Sequence, residues 1–153
     1  MTDLSTSYLG LALRNPLVAS ASPLSQGVDR VRALAGSGVG AVVLYSLFEE
    51  QVHREQLRDL MVTEAHEDSF GEAQTWFPSV PTTQPVGSAG YLRLLEQASH
   101  AVDVPVIGSL NGSSPGGWSS FARSMQDAGA AAIELNIYLV PGNPHTSGRE
   151  VED

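Results

Sequence analysis

Ala131-Ala132-Ile133-Glu134-Leu135-Asn136-Ile137 is a short apolar run whose polar residues, Glu134 and Asn136, lie toward its end. Pro105-Val106-Ile107-Gly108-Ser109-Leu110 repeats the pattern, and Gly40-Ala41-Val42-Val43-Leu44-Tyr45 repeats it again. Leu17-Val18-Ala19-Ser20 is a shorter version of the same thing. Strands covered on both faces read as continuous apolar runs of this kind, whereas a half-solvated antiparallel strand alternates.

Helical stripes fall between these runs. Val28, Val31, Leu34 and Ala35 recur at spacings of three and four, and Gly36 and Gly38 follow as stop signals. Tyr91, Leu94, Leu95, Ala98 and Val102 form a second stripe, with Ser88 as its cap. Phe121, Met125 and Ala128 form a third, with Ser119 or Ser120 at its start and Gly129 at its end. Strict strand–helix alternation implies a parallel sheet with right-handed crossovers, as a doubly wound sheet or a (β/α)8 barrel. Residues 8–16 read as a hairpin ahead of the first strand, which suits the closed bottom of a barrel. No G-x-G-x-x-G follows any strand, which removes the dinucleotide fingerprint of a doubly wound sheet.

The stretch from Phe48 to His66 is charged, with Val52, Gln56, Leu60 and Thr63 at helical spacing. From Asp68 to Gly90 the chain turns loop-like and carries Trp76 and Phe77. In a barrel this would be an insertion at the C-terminal face of the second strand, where ligands bind.

Composition narrows the function. The net charge is −9, from 17 acidic and 8 basic residues, and every basic residue is an arginine. This argues against nucleic acid and anionic membrane surfaces as partners. With no cysteine there is no thiolate nucleophile and no thiolate metal site. Neither a signal peptide nor an apolar run of roughly 18 residues is present, so a soluble cytoplasmic protein is expected. His53, His66, His100 and His145 are not at ligand spacing, so no metal is expected. Glu64, Glu67, Asp68 and Glu72 read as a solvated face.

The strand ends are the informative positions, because a parallel barrel binds ligand at the C-terminal ends of its strands. They carry Ser20 and Ser22, then Tyr45 and Ser46, then Ser109 and Asn111, then Glu134 and Asn136. Amides supply in-plane donors and acceptors for a planar heteroaromatic ligand, and small residues let its ring lie against backbone.

Asn15-Pro16-Leu17-Val18-Ala19-Ser20-Ala21-Ser22-Pro23 resembles the opening of the dihydroorotate dehydrogenase family. The runs 38–43, 105–112 and 129–137 resemble that family's next three strands, in the same order, so the likeness covers residues 8–137. The resemblance implies an FMN-dependent TIM-barrel oxidoreductase of the pyrimidine biosynthesis lineage, exchanging hydride with a CH–CH or similar group of a small molecule. By position, Ala19 and Ser20 would approach the flavin ring through backbone, Ser46 would contact flavin, and Asn111 and Asn136 would hydrogen-bond flavin or substrate. Tyr45 stands where the family has a lysine and is taken as a substrate-side contact. Leu139 stands at the position of the catalytic base, and leucine cannot take a proton. The substrate-loop asparagine has no counterpart between Trp76 and Gly87. A divergent substrate follows.

The residues from Gly142 to Asp153 resemble the loop after the family's fourth strand. A (β/α)8 barrel has eight strands, and its phosphate site comes from loops after the last two. The expectation is therefore an incomplete barrel over residues 1–153: about the first four βα units with an N-terminal hairpin, inactive alone and completed by a second copy or a C-terminal half. A non-catalytic half-barrel acting as a binding subunit is the alternative. A Schiff-base aldolase is a weaker third reading, since it needs a lysine.

Overall fold

The computed structural model describes residues 2–52, 87–112, 118–137, 143 and 145–152. The chain opens with a hairpin of β1 (Thr6–Tyr8) and β2 (Leu11–Leu13), paired Thr6 to Leu13 and Tyr8 to Leu11. Its two-residue turn places Leu9 and Gly10 at φ 51° and 78°. Positive φ at both positions matches the twist of the strands, and glycine takes it without strain.

Four parallel strands follow: β3 (Val18–Ala19), β4 (Ala41–Phe48), β5 (Val106–Gly112) and β6 (Ala132–Ile137). A 3₁₀ turn (Pro23–Ser25) and helix α1 (Val28–Gly36) lie between β3 and β4. Residues 49–52 are helical, and α2 (Ser88–Ala101) precedes β5. Helix α3 (Ser119–Asp127) links β5 to β6, and the short α4 (Gly148–Glu152) comes last. The strands lie side by side in chain order, β3-β4-β5-β6. A doubly wound sheet would reverse its order and carry helices on both faces.

Here all three crossover helices share one face. Val31 of α1, Tyr91, Leu95 and Ala98 of α2, and Phe121 and Met125 of α3 pack in one core with Val42, Leu44, Val106 and Leu110. The opposite face begins with Ala41, Val43 and Ile107, covered by Leu11 and Leu13 of the hairpin. This is a mixed α/β architecture consistent with part of an α/β barrel, hairpin included. The sheet does not close on itself among the described residues. The expected order of strands, helices and hairpin is observed, with the first strand reduced to two residues. Ser88 is the first residue of α2 and not its cap; Gly87 holds the cap position, with no side-chain cap bond. Of the expected helical stretch beyond Phe48, residues 53–66 lie outside the described residues, as do Trp76, Phe77 and Leu139.

The hairpin is tied to the helical layer by its last residues. The Arg14 guanidinium donates to the carbonyls of Val39 (2.8 Å) and Ala35 (2.6 Å), and Asn15 Nδ2 donates to Gly38 (2.8 Å). At the last turn of α1 the cation adds a second donor to the Ala35 carbonyl, which also accepts from Gly38 N–H, and complements the helix dipole. Arg14 is exposed, so its contribution is modest. Arg14→Ala is expected to lower stability by about 1 kcal/mol. An unchanged urea midpoint would show that these bonds are replaced by water at no cost.

Candidate functional site

Parallel pairing brings all C-terminal strand ends to one end of the sheet, and side-chain alternation decides which residues face away from the helices. On that face the N-terminal half is apolar, with Val43, Ile107 and Ala132 against the hairpin. The C-terminal half is polar. Ser46, Ser109 and Glu134 form one row across three adjacent strands, and Phe48, Asn111 and Asn136 form the next.

A β-bulge creates the first row. Val43 pairs with Ile107 but Ser46 pairs with Ser109, so β4 carries one extra residue over this stretch. Leu44 goes into the helix-side core and Tyr45 packs on that core too. The Tyr45 ring meets Tyr91 edge-on at 5.1 Å and 72°. Tyr91 in turn serves the backbone of β5: its hydroxyl accepts from Ser109 N–H (2.8 Å) and donates to Ser109 C=O (3.2 Å). The Pro105 carbonyl accepts from Val42 and the Val106 carbonyl from Ala131, so odd residues of β5 face β4. Ser109 therefore faces β4 where the bulge interrupts the ladder. Burial pushes the Tyr91 phenol well above the usual tyrosine range.

The polar rows are joined by hydrogen bonds. Ser46 Oγ lies 2.8 Å from Ser109 Oγ. Ser109 Oγ donates to Glu134 Oε1 (2.7 Å), and Asn136 Nδ2 donates to the same oxygen (3.3 Å) and reaches Ser109 Oγ at 3.5 Å. Ser109 is fully buried; Ser46, Asn111, Glu134 and Asn136 are half-buried. The result is a fixed hydroxyl–carboxylate–amide patch at the C-terminal end of the parallel sheet.

Among the residues singled out from sequence, the structure brings Ser46 and Asn136 into this patch, and Asn111 into register beside Asn136. Ala19 pairs with Val42 and turns its side chain to the helix-side core, so only its backbone is free to approach a ligand. Ser20 follows at the exposed end of β3. Tyr45 is not brought to the patch: the bulge turns its ring to the helix side. Ser109 and Glu134 join the patch although the family resemblance as read from the sequence assigns them no ligand contact. A period of two places them on one face with Asn111 and Asn136, and that signal could have found them. His100 bonds the Glu96 carbonyl on α2 through Nδ1 (2.7 Å), His145 is exposed, and His53 and His66 lie outside the described residues.

The chain is similar to curated dihydroorotate dehydrogenases. It is 35% identical over 60 residues to a putative dihydroorotate dehydrogenase A (fumarate) of Aeropyrum pernix, covering 39% of this chain and 18% of that protein. It is 27% identical over 152 residues to the catalytic subunit of a dihydroorotate dehydrogenase B (NAD(+)) of Thermoplasma acidophilum, covering 99% of this chain and 46% of that protein. The chain thus spans less than half the length of these curated relatives. No protein-family profile matches it. Among the described residues no helix is long and apolar enough to cross a membrane.

Proposed function

We propose that this chain is part of an FMN-dependent oxidoreductase related to the dihydroorotate dehydrogenases, contributing the hairpin and first four βα units of one (β/α)8 barrel domain. One observation carries this reading: Ser46, Ser109, Asn111, Glu134 and Asn136 converge at the C-terminal ends of adjacent parallel strands, on the face away from the helices. That is where such barrels bind ligands. The polar set suits a planar heterocycle, since hydroxyl and amide groups can meet the in-plane hydrogen-bonding edge of a ring without introducing a cation.

In this reading Ser46, Asn111 and Asn136 bond the ring edge, and the backbone at Ala19 and Ser20 lies along the ring. When bound, FMN supplies hydride exchange with a CH–CH or similar group of a small molecule. The substrate differs from dihydroorotate. Tyr45 replaces the family's lysine and points its ring to Tyr91, and Leu139, at the base position, has no proton to exchange. The Thermoplasma relative is named a catalytic subunit, so a companion subunit or a second copy of this chain is the class of partner to test. The placement of Tyr45 equally favours a second reading, a flavin-binding half-barrel without catalysis.

The test is FMN titrated into the protein and followed by quenching of flavin fluorescence. Saturable quenching is expected, with Asn111→Ala and Asn136→Ala each weakening it about tenfold. Absence of saturable quenching by the unmodified protein would overturn the flavin reading.

A further inference from the structure

We propose that Glu134 is a positioning residue that sets the hydrogen-bond polarity of the strand-end patch, so that Ser46 and Asn136 offer acceptors to a bound ring and select its N–H edge. The ligand half of this proposal rests on the flavin reading above. The polarity half stands on the geometry alone.

An ionised carboxylate accepts and cannot donate. Glu134 Oε1 has two neighbours, Ser109 Oγ at 2.7 Å and Asn136 Nδ2 at 3.3 Å, so both must donate to it. The single hydroxyl proton of Ser109 is thereby used. In the 2.8 Å contact between Ser109 Oγ and Ser46 Oγ, Ser46 must then be the donor. That uses the Ser46 proton, and a ligand meeting Ser46 finds only lone pairs. The same carboxylate orients the Asn136 amide. With Nδ2 committed to Glu134, Oδ1 points away from it, and flipping the amide would set two acceptors against each other. One carboxylate at the β6 end of the row fixes the direction of every bond across three strands.

The ligand consequence is specific. The oxidised isoalloxazine ring has one N–H donor, at N3; its remaining ring nitrogens and both carbonyls accept. A patch that offers acceptors therefore takes the N3–H edge. Replacing Glu134 by the isosteric glutamine removes the constraint, because an amide can both donate and accept and the row can reverse.

Riboflavin and N3-methylriboflavin, titrated into the unmodified protein and into Glu134→Gln, read the selection. The unmodified protein is expected to bind the methylated ring about tenfold more weakly, and Glu134→Gln to discriminate by less than about threefold. Equal binding of both rings by the unmodified protein would overturn the selection while leaving the flavin reading intact. If neither ring binds, both the flavin reading and the selection fall. The polarity is read without ligand by NMR of the Asn136 side-chain amide. It is expected away from the free-amide position in the unmodified protein and moved toward that position in Glu134→Ala, where only the longer 3.5 Å contact with Ser109 Oγ is left. A free-amide position in the unmodified protein would overturn the positioning role whatever binds.

Discussion

Gly40→Ala is expected to cost about 3 kcal/mol, the upper end of what overpacking usually costs. A Cβ at this position would be built into the carbonyl oxygen of Asn15, and the next nearest atoms are also Asn15 backbone. Neither side can yield cheaply. The Gly40 N–H donates to the Leu17 carbonyl at 2.7 Å. Asn15 is held by its bond to the Gly38 carbonyl and by Leu17 N–H donating to its Oδ1 at 3.0 Å. A backbone carbonyl has no rotamer to change, so relief requires moving the hairpin away from the start of β4. Gly36→Ala is the control. It closes α1 with open space around the added methyl, and should be neutral or stabilising by up to about 1 kcal/mol. Urea unfolding of both variants decides the matter. Equal midpoints would mean that the hairpin does not sit against Gly40 in solution.

Tyr91→Phe is the second substitution with a large expected effect. The ring stays, and its packing against Tyr45 and Phe121 survives. What is lost is the hydroxyl serving both the N–H and the C=O of Ser109 at the bulge. A buried backbone group left without its partner costs about 1–3 kcal/mol, and two are at stake here. A loss below about 0.5 kcal/mol would show that β4 closes its bulge and pairs with Ser109 directly. The same residue sets an alkaline limit. Burial raises the phenol pKa in the folded state, while the unfolded chain releases that proton near the ordinary value of about 10. Above about pH 10 the unfolded state is therefore favoured progressively, and stability present below that pH is lost as pH rises. Tyr91→Phe should flatten this decline. An equally steep alkaline decline in the variant would assign it to other groups.

Much of this protein is legible in its residues. Runs such as 105–110 and 131–137 are too apolar for half-solvated strands, and the stripes between them supply the covering helices. Local patterning thus determined the strands, the helices, their alternation, and the strand ends as the place where polar side chains collect. Asn111 and Asn136 stand out in the sequence as polar residues at strand ends, and because their strands are regular a period of two from Ile107 and Ala132 carries them to the face away from the helices.

The tertiary structure decided what that period could not. Alternation continued from Val43 puts Tyr45 on the face away from the helices and Ser46 on the helix face, and the bulge exchanges them. Nothing local to residues 41–48 announces it, because the extra residue is accommodated by Tyr91, whose hydroxyl reaches the backbone of β5 from a helix over 40 positions away in sequence. The role of Glu134 is decided in the same way. In sequence it is one acidic residue in an apolar strand. Only the packing of three strands sets it between Ser109 and Asn136, where a carboxylate that can accept but not donate orders its neighbours' protons. Periodicity follows from backbone geometry and is written along the chain, whereas a bulge and a hydrogen-bond direction depend on partners that the chain meets only once folded.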